Sequence, residues 1–198
     1  MQLVLDNLES IAPVILRGLR MSDDEFLDFC QEHEDLRVES NANGEIELMA
    51  GTGPKTGRRN AILTIQLGVW ALTDARGSTF DSSTLFVLPS GARRSPDASW
   101  ISAARIAAVP AGQEDRLWHI CPEFVIELRS HSDRGANLDE KMREWIANGV
   151  ELGWLIDPEN RSVAIYRPGH ETEIVARPAS IAAGPPVAGF VLDLSKVF

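Results

Sequence analysis

The segment EFVIELRS, residues 123–130, constrains this chain more than any other. Phe124, Val125, Ile126 and Leu128 form a nearly continuous apolar run, the composition of a central strand covered on both faces, yet Glu127 stands inside it. Burying an unpaired carboxylate there costs on the order of several kcal/mol. A cation, a basic side chain or a proton must offset that cost. The ordinary partner is Arg129, two residues on and therefore on the same face of the strand. ELGWLIDP (151–158) predicts a second central strand. Between the two, ANLDEKMREWIAN (136–148) has helical periodicity and Gly149 is placed to end it.

The rest of the chain frames these strands. Ser22 followed by Glu25 is a capping box. It opens a short amphipathic helix over about 22–33, with Phe26, Leu27, Phe29 and Cys30 as its apolar residues. LRVES and EIELMA alternate on either side of Asn41-Ala-Asn43-Gly44, a hairpin signal. GTGPKTG reads as a loop, and RRNAILTIQLGVWALTDA, from about Gly57, as a long and largely buried helix. Short strands are expected near 79–88 and from Pro96 to Ile101, with a short helix after Ile101. Residues 111–122 read as a polar loop anchored by Trp118. Asp157 before Pro158 starts a turn, and VAIYRP and TEIVARP pair as a hairpin. Ser130 and Ser132 are placed to cap the 136–148 helix. This order predicts an α/β (α+β mixed) chain: a mixed central β-sheet flanked by helices, with added β-hairpins. Residues 1–20 read as an N-terminal leader segment and 21–198 as a single domain.

Bulk properties narrow the function. The chain has 198 residues, of which 44% are hydrophobic, enough for a core of ordinary size. Its formal net charge of -10 argues against a protein that coats nucleic acid by charge alone. A local basic groove or a metal-bridged phosphate site is still compatible with it. Arg58, Arg59, Arg93 and Arg94 are candidates to track a nucleic-acid backbone, and solvated surface is their ordinary role. Cys30 and Cys121 show no metal spacing and make no disulfide framework, which suits a reducing cytoplasm. The N-terminus carries Asp6 and Glu9 without a basic leader, a poor signal peptide, and no run is long enough to span a bilayer. His33, His119, His131 and His170 show no ligand spacing for zinc. No phosphate loop, dinucleotide fingerprint or serine elbow is present.

Asp97 is the second acid of interest. A Pro-Asp pair ordinarily marks a turn, but here it leads into the strand Ala98-Ser-Trp100-Ile101. Two carboxylates entering a sheet at neighbouring strand ends offer hard oxygen ligands to Mg²⁺, which takes one or two protein carboxylates and keeps several waters. Lys141 lies at the edge of the stripe made by Leu138, Met142, Trp145 and Ile146, one turn from both Leu138 and Trp145. Its ammonium either snorkels into solvent or swings over the sheet end towards Glu127.

Four runs carry a resemblance: Arg94-Ser-Pro96-Asp97-Ala-Ser-Trp100, Phe124-Val-Ile-Glu127-Leu-Arg129-Ser130, Leu138-Asp-Glu-Lys141-Met, and Gly153-Trp-Leu-Ile-Asp157-Pro158. In order and spacing, from about Glu39 to the C-terminus, the chain resembles the Uma-type family of the PD-(D/E)xK superfamily. The resemblance implies a restriction-endonuclease-like fold and a Mg²⁺-dependent endonuclease, with Mn²⁺ able to substitute, acting on nucleic acid and on DNA first. It implies Asp97 and Glu127 as metal ligands, and Asp97, Glu127 and Lys141 as catalytic residues. Glu39 matches the family's early glutamate, with Glu45 as competitor, although hairpin glutamates are ordinarily solvated. The wider superfamily places its lysine two residues after the acid, where this chain has Arg129, which is always protonated and cannot serve as a base. In the Uma-type pattern the lysine lies on the following helix, as Lys141 does. Arg129 is then left to clamp a phosphate or to hold Glu127. A homodimer is the expected assembly, as for many nucleases that cut both strands. Two rival readings come from other classes. One is a catalytically inactive nuclease fold that binds nucleic acid or serves in assembly. The other is a metal-independent hydrolase using Asp97 and Glu127 as a general acid/base pair.

Overall fold

A computed structural model describes residues 13–49, 51–113, 115–130 and 135–198, the side chains of 135–137 excepted. His131, Ser132 and most of the expected leader segment lie outside the described residues. The chain divides into two compact units: Met1–Gly53 with Leu85–Ser95 and Val109–Ile120, and Pro54–Thr84 with Pro96–Ala108 and Cys121–Phe198.

In the first unit, helix α1 (Asp23–Glu32) begins at the expected capping box: Ser22 Oγ accepts from the Glu25 N–H, and the Glu25 carboxylate accepts from the Ser22 N–H. Phe26 and Phe29 are its buried residues. Strands β1 (Val14–Leu16), β2 (Arg37–Ser40), β3 (Ile46–Met49), β5 (Phe86–Val87) and β6 (Arg93–Arg94) form an antiparallel sheet in the order β1-β3-β2-β6-β5. The β2–β3 hairpin closes through Asn41, whose side-chain oxygen accepts from the N–H groups of Asn43 and Glu45. Gly44 takes the positive φ of +77° that the Asn-Gly pair foreshadows. Phe26, Phe29, Val38, Ile46, Leu48, Val87 and Leu117 make the core of this unit. Arg93 is not solvated surface: it pairs with Asp23 at 2.6 Å and its guanidinium lies over the Phe26 ring at 4.8 Å. Strand β6 was not foreseen, because two residues paired to β2 only through Ser40 and Arg93 are too short to show alternation.

The second unit is built on a six-stranded sheet. Its strands are β4 (Gly77–Asp81), β7 (Ala98–Ser102), β8 (Phe124–Leu128), β9 (Leu152–Asp157), β10 (Ser162–Tyr166) and β11 (Glu173–Ala176), in the order β11-β10-β9-β8-β7-β4. Among the described strands of this sheet, β8 and β9 alone pair in parallel. A parallel pair needs a crossover, and helix α4 (Gly135–Ala147) supplies it, ending before Gly149 at φ +114°. Strands β8 and β9 are buried at every position, as their largely apolar sequences require, with Glu127 and Asp157 as the buried acids. The expected β10–β11 hairpin is present, with Val163 opposite Val175. Helix α3 (Ala103–Ile106) is the short one after β7. A further pair, β12 (Ser180–Ala182) with β13 (Val191–Asp193), lies near the C-terminus.

Helix α2 (Pro54–Asp74) departs from expectation twice. It starts inside the segment GTGPKTG, because proline at the first helical position sacrifices no hydrogen bond. It is also not largely buried: Leu63, Leu67 and Ala71 face the core, while Ile65, Val69 and Leu72 are 62%, 63% and 86% exposed. The 63-67-71 stripe is the buried one, with Ile62 and Trp70 partly buried beside it. Among the described residues, no helix is long and apolar enough to cross a membrane.

Candidate active site

Strand register brings the two acids together. In the antiparallel β7–β8 pair Ala98 faces Ile126. Continuing that register by one residue sets Asp97 opposite Glu127, with both side chains on one face of the sheet. Both are buried, at 5% and 4% exposure. Asp97 does not simply start a turn. Its Oδ2 accepts from the Leu128 N–H at 2.7 Å, and its Oδ1 accepts from Asn60 Nδ2 at 3.0 Å.

Glu127 Oε1 receives two donors from α4. Lys141 Nζ lies 3.0 Å away and Trp145 Nε1 2.9 Å away. Lys141 and Trp145 are four residues apart, hence on one helix face. The lysine side chain is only 15% exposed, so its ammonium is turned to Glu127 and not to open solvent. Arg129, the ordinary sequence partner of Glu127, instead approaches Asp157 at 3.4 Å. The parallel pairing explains this: Leu128 lies beside Ile156, so the next residue of each strand brings Arg129 to Asp157. Burial pushes the Asp157 carboxyl up. The Asn160 hydrogen bonds, Arg129 and the Glu159 N–H outweigh burial and hold it below its ordinary value.

Two residues were not singled out from sequence as part of the site. Trp145 was read only as part of the apolar stripe. Asn60 went unnoticed, although it stands three and seven residues before Leu63 and Leu67, on the buried stripe of α2, where a polar residue calls for a partner. Its Oδ1 is buried without a hydrogen-bond partner among the described residues. An orphaned buried acceptor costs about 1–3 kcal/mol.

Glu39 and Glu45 belong to the first unit. Glu39 is 1% exposed and not solvated. It meets Arg94 Nη1 at 3.2 Å and Arg37 Nη2 at 3.6 Å, and accepts from the Ser95 N–H. Arg94 also pairs with Glu47 at 2.5 Å, so this arginine is internal and does not line a solvated surface. Glu45 pairs at the surface with Arg17. Burial pushes the Cys121 thiol up to about 12, which removes it as a nucleophile near neutral pH.

Among the described residues, no group of three or more His, Cys, Asp and Glu side chains is arranged to hold a metal. The second unit offers a different donor set: two buried carboxylates across one strand pair and an amide oxygen lacking a partner. All are hard oxygens, and Mg²⁺ accepts one or two carboxylates while retaining waters. The residues therefore fit a divalent cation of that class.

Comparison with solved structures gives a putative nuclease belonging to DUF820 from Anabaena variabilis, with a TM-score of 0.73 and 22% identity, covering 90% of this chain and 98% of that one. At that identity the likeness is one of fold. The cryo-electron-microscopy structure of a DrdV–DNA complex aligns at a TM-score of 0.37 and 15% identity over 59% of this chain and 10% of that one, too weakly to carry an argument. No curated protein gives a significant sequence match. A family model described as "Putative restriction endonuclease", Uma2, matches residues 23–195. With a restriction-endonuclease-like mixed α/β fold and a match along most of its length, this chain belongs to the Uma2 family of putative restriction endonucleases.

Proposed function

We propose that this chain is a divalent-metal-dependent endonuclease that hydrolyses phosphodiester bonds in DNA, with Asp97, Glu127 and Lys141 as its catalytic residues. One observation carries the reading: a lysine ammonium withheld from solvent on a buried glutamate, itself set across a strand pair from a buried aspartate. Family membership points to the same class of reaction.

In this reading Asp97 and Glu127 hold Mg²⁺ or Mn²⁺. When bound, such a cation would supply Lewis-acid stabilisation of a phosphate and would make a water more acidic. The protein's own groups do the rest. The Leu128 N–H and the Asn60 amide fix the Asp97 carboxylate. Trp145 fixes Glu127. The Lys141 ammonium orients the water and stabilises negative charge as it develops on the phosphate, the kind of preorganised electrostatic help that matters most in a site shielded from water. Arg129, which pairs with Asp157, clamps a phosphate in this reading and needs no proton chemistry to do so.

The test is cleavage of supercoiled plasmid DNA by the full chain with Mg²⁺ or Mn²⁺, with and without EDTA. Nicking that requires the metal is expected. Nicking that survives EDTA would instead support a metal-free acid/base pair. Metal binding without any cleavage would support the inactive module, the reading that Arg129 in the usual lysine position favours.

A further inference from the structure

Asn60 stands outside the three proposed catalytic residues yet is bonded into their site. Its Nδ2 donates to Asp97 Oδ1 at 3.0 Å. An ionised carboxylate can only accept, so this bond fixes which way the amide points. The nitrogen faces Asp97, and Oδ1 is left buried with no donor among the described residues. Buried acceptors without donors are uncommon in native folds, and an ion or ordered water is a standard reason for one.

We infer that Asn60 is itself a cation ligand, its Oδ1 being a third side-chain oxygen for the divalent metal beside Asp97 and Glu127. The inference rests on the metal-dependent reading above. An amide oxygen is a hard, neutral donor of the kind that Mg²⁺ and its relatives accept. Being neutral, it leaves two carboxylate charges to balance a dication, and Lys141 stays available for the charge of the phosphate. Asn60 thus uses both ends of one amide: Nδ2 orients one ligand and Oδ1 is another.

The test separates the two ends. Asn60→Asp keeps an oxygen and loses the donor to Asp97. Asn60→Leu keeps the approximate volume and loses both, and Asn60→Ala serves as its counterpart if leucine disturbs the fold. Mn²⁺ binding to each full-length protein is followed by the electron paramagnetic resonance signal of the free ion, with no substrate, alongside the melting temperature of the metal-free protein. Asn60→Leu and Asn60→Ala are expected to weaken Mn²⁺ binding by about tenfold or more. Asn60→Asp is expected to bind at least as tightly as wild type while melting lower without metal, because two carboxylates then face each other. Equal weakening in Asn60→Asp and Asn60→Leu would overturn the inference, since Asn60 would then act only through Asp97. So would wild-type affinity in Asn60→Leu with a lowered melting temperature. Absence of Mn²⁺ binding to the wild type would be a different failure, one that overturns the metal-dependent reading itself.

Discussion

Glu127 is tolerated in an apolar strand because Lys141 and Trp145 converge on one of its oxygens. A hydrogen bond to a charged group is worth about 1.5–3 kcal/mol, so the Trp145 indole N–H stabilises the fold as well as orienting the acid. Trp154 is a natural control: it is equally buried, but its Nε1 has no hydrogen-bond partner among the described residues. Trp145→Phe is therefore expected to lower stability in urea denaturation by about 1–3 kcal/mol more than Trp154→Phe does. Equal losses would mean that the indole bond to Glu127 contributes nothing. Asp157 supports a pH prediction. Its carboxyl is held below its ordinary value in the folded chain. Its ionised form therefore stabilises the fold at pH values above the unfolded value of about 3.9, and that contribution is lost as pH falls through the lower folded value. Asp157→Asn keeps the turn acceptor but loses the charge opposite Arg129. The variant is expected to be less stable than wild type near about pH 7, with the gap closing towards about pH 3. A gap that stays constant across that range would contradict the ion pair.

At the scale of elements, legibility followed the strength of local signals. The Ser22–Glu25 capping box, the Asn41–Gly44 hairpin and the strand-helix-strand run around Lys141 are visible in sequence because each is specified by residues close together. Strand β6 was not, since two residues show no period. The covered face of α2 was not either. Apolar residues surround much of that helix, and only the sheet beneath it decides which are buried. Leu67 is fully buried and Leu72 is 86% exposed, although their residue type is the same. Leu67→Ala is expected to cost about 2–5 kcal/mol, and Leu72→Ala no more than about 0.5 kcal/mol in either direction. Comparable costs by urea denaturation would show that α2 is covered on more than one side.

For the whole molecule, the acidic balance and the proposed substrate set the main tension. A chain of net charge -10 meets a polyanion, so contact with DNA must come from local groups. Arg93 and Arg94, two of the arginines that sequence offered for that task, are committed to Asp23, Glu39 and Glu47 in the first unit. Glu39 illustrates the limit of sequence reading: its burial depends on Arg94, which is 55 residues away along the chain. Glu127 stands out in sequence because a run of apolar residues makes a lone charge conspicuous, whereas Asp97 and Lys141 are singled out by the family resemblance and not by their local pattern. Asn60 is less conspicuous: its one signal is a polar residue on the Leu63–Leu67 stripe, and a neutral amide there stands out less than a charge. The central claim is that the lysine on α4 and the glutamate on β8 work as one catalytic unit. It is tested most directly by single-turnover cleavage of a labelled DNA duplex under saturating Mn²⁺, comparing wild type with Lys141→Ala and Glu127→Gln after circular dichroism has shown each variant folded. Both substitutions are expected to slow cleavage by about 100-fold or more. A folded Lys141→Ala protein that cleaves at the wild-type rate would contradict the claim.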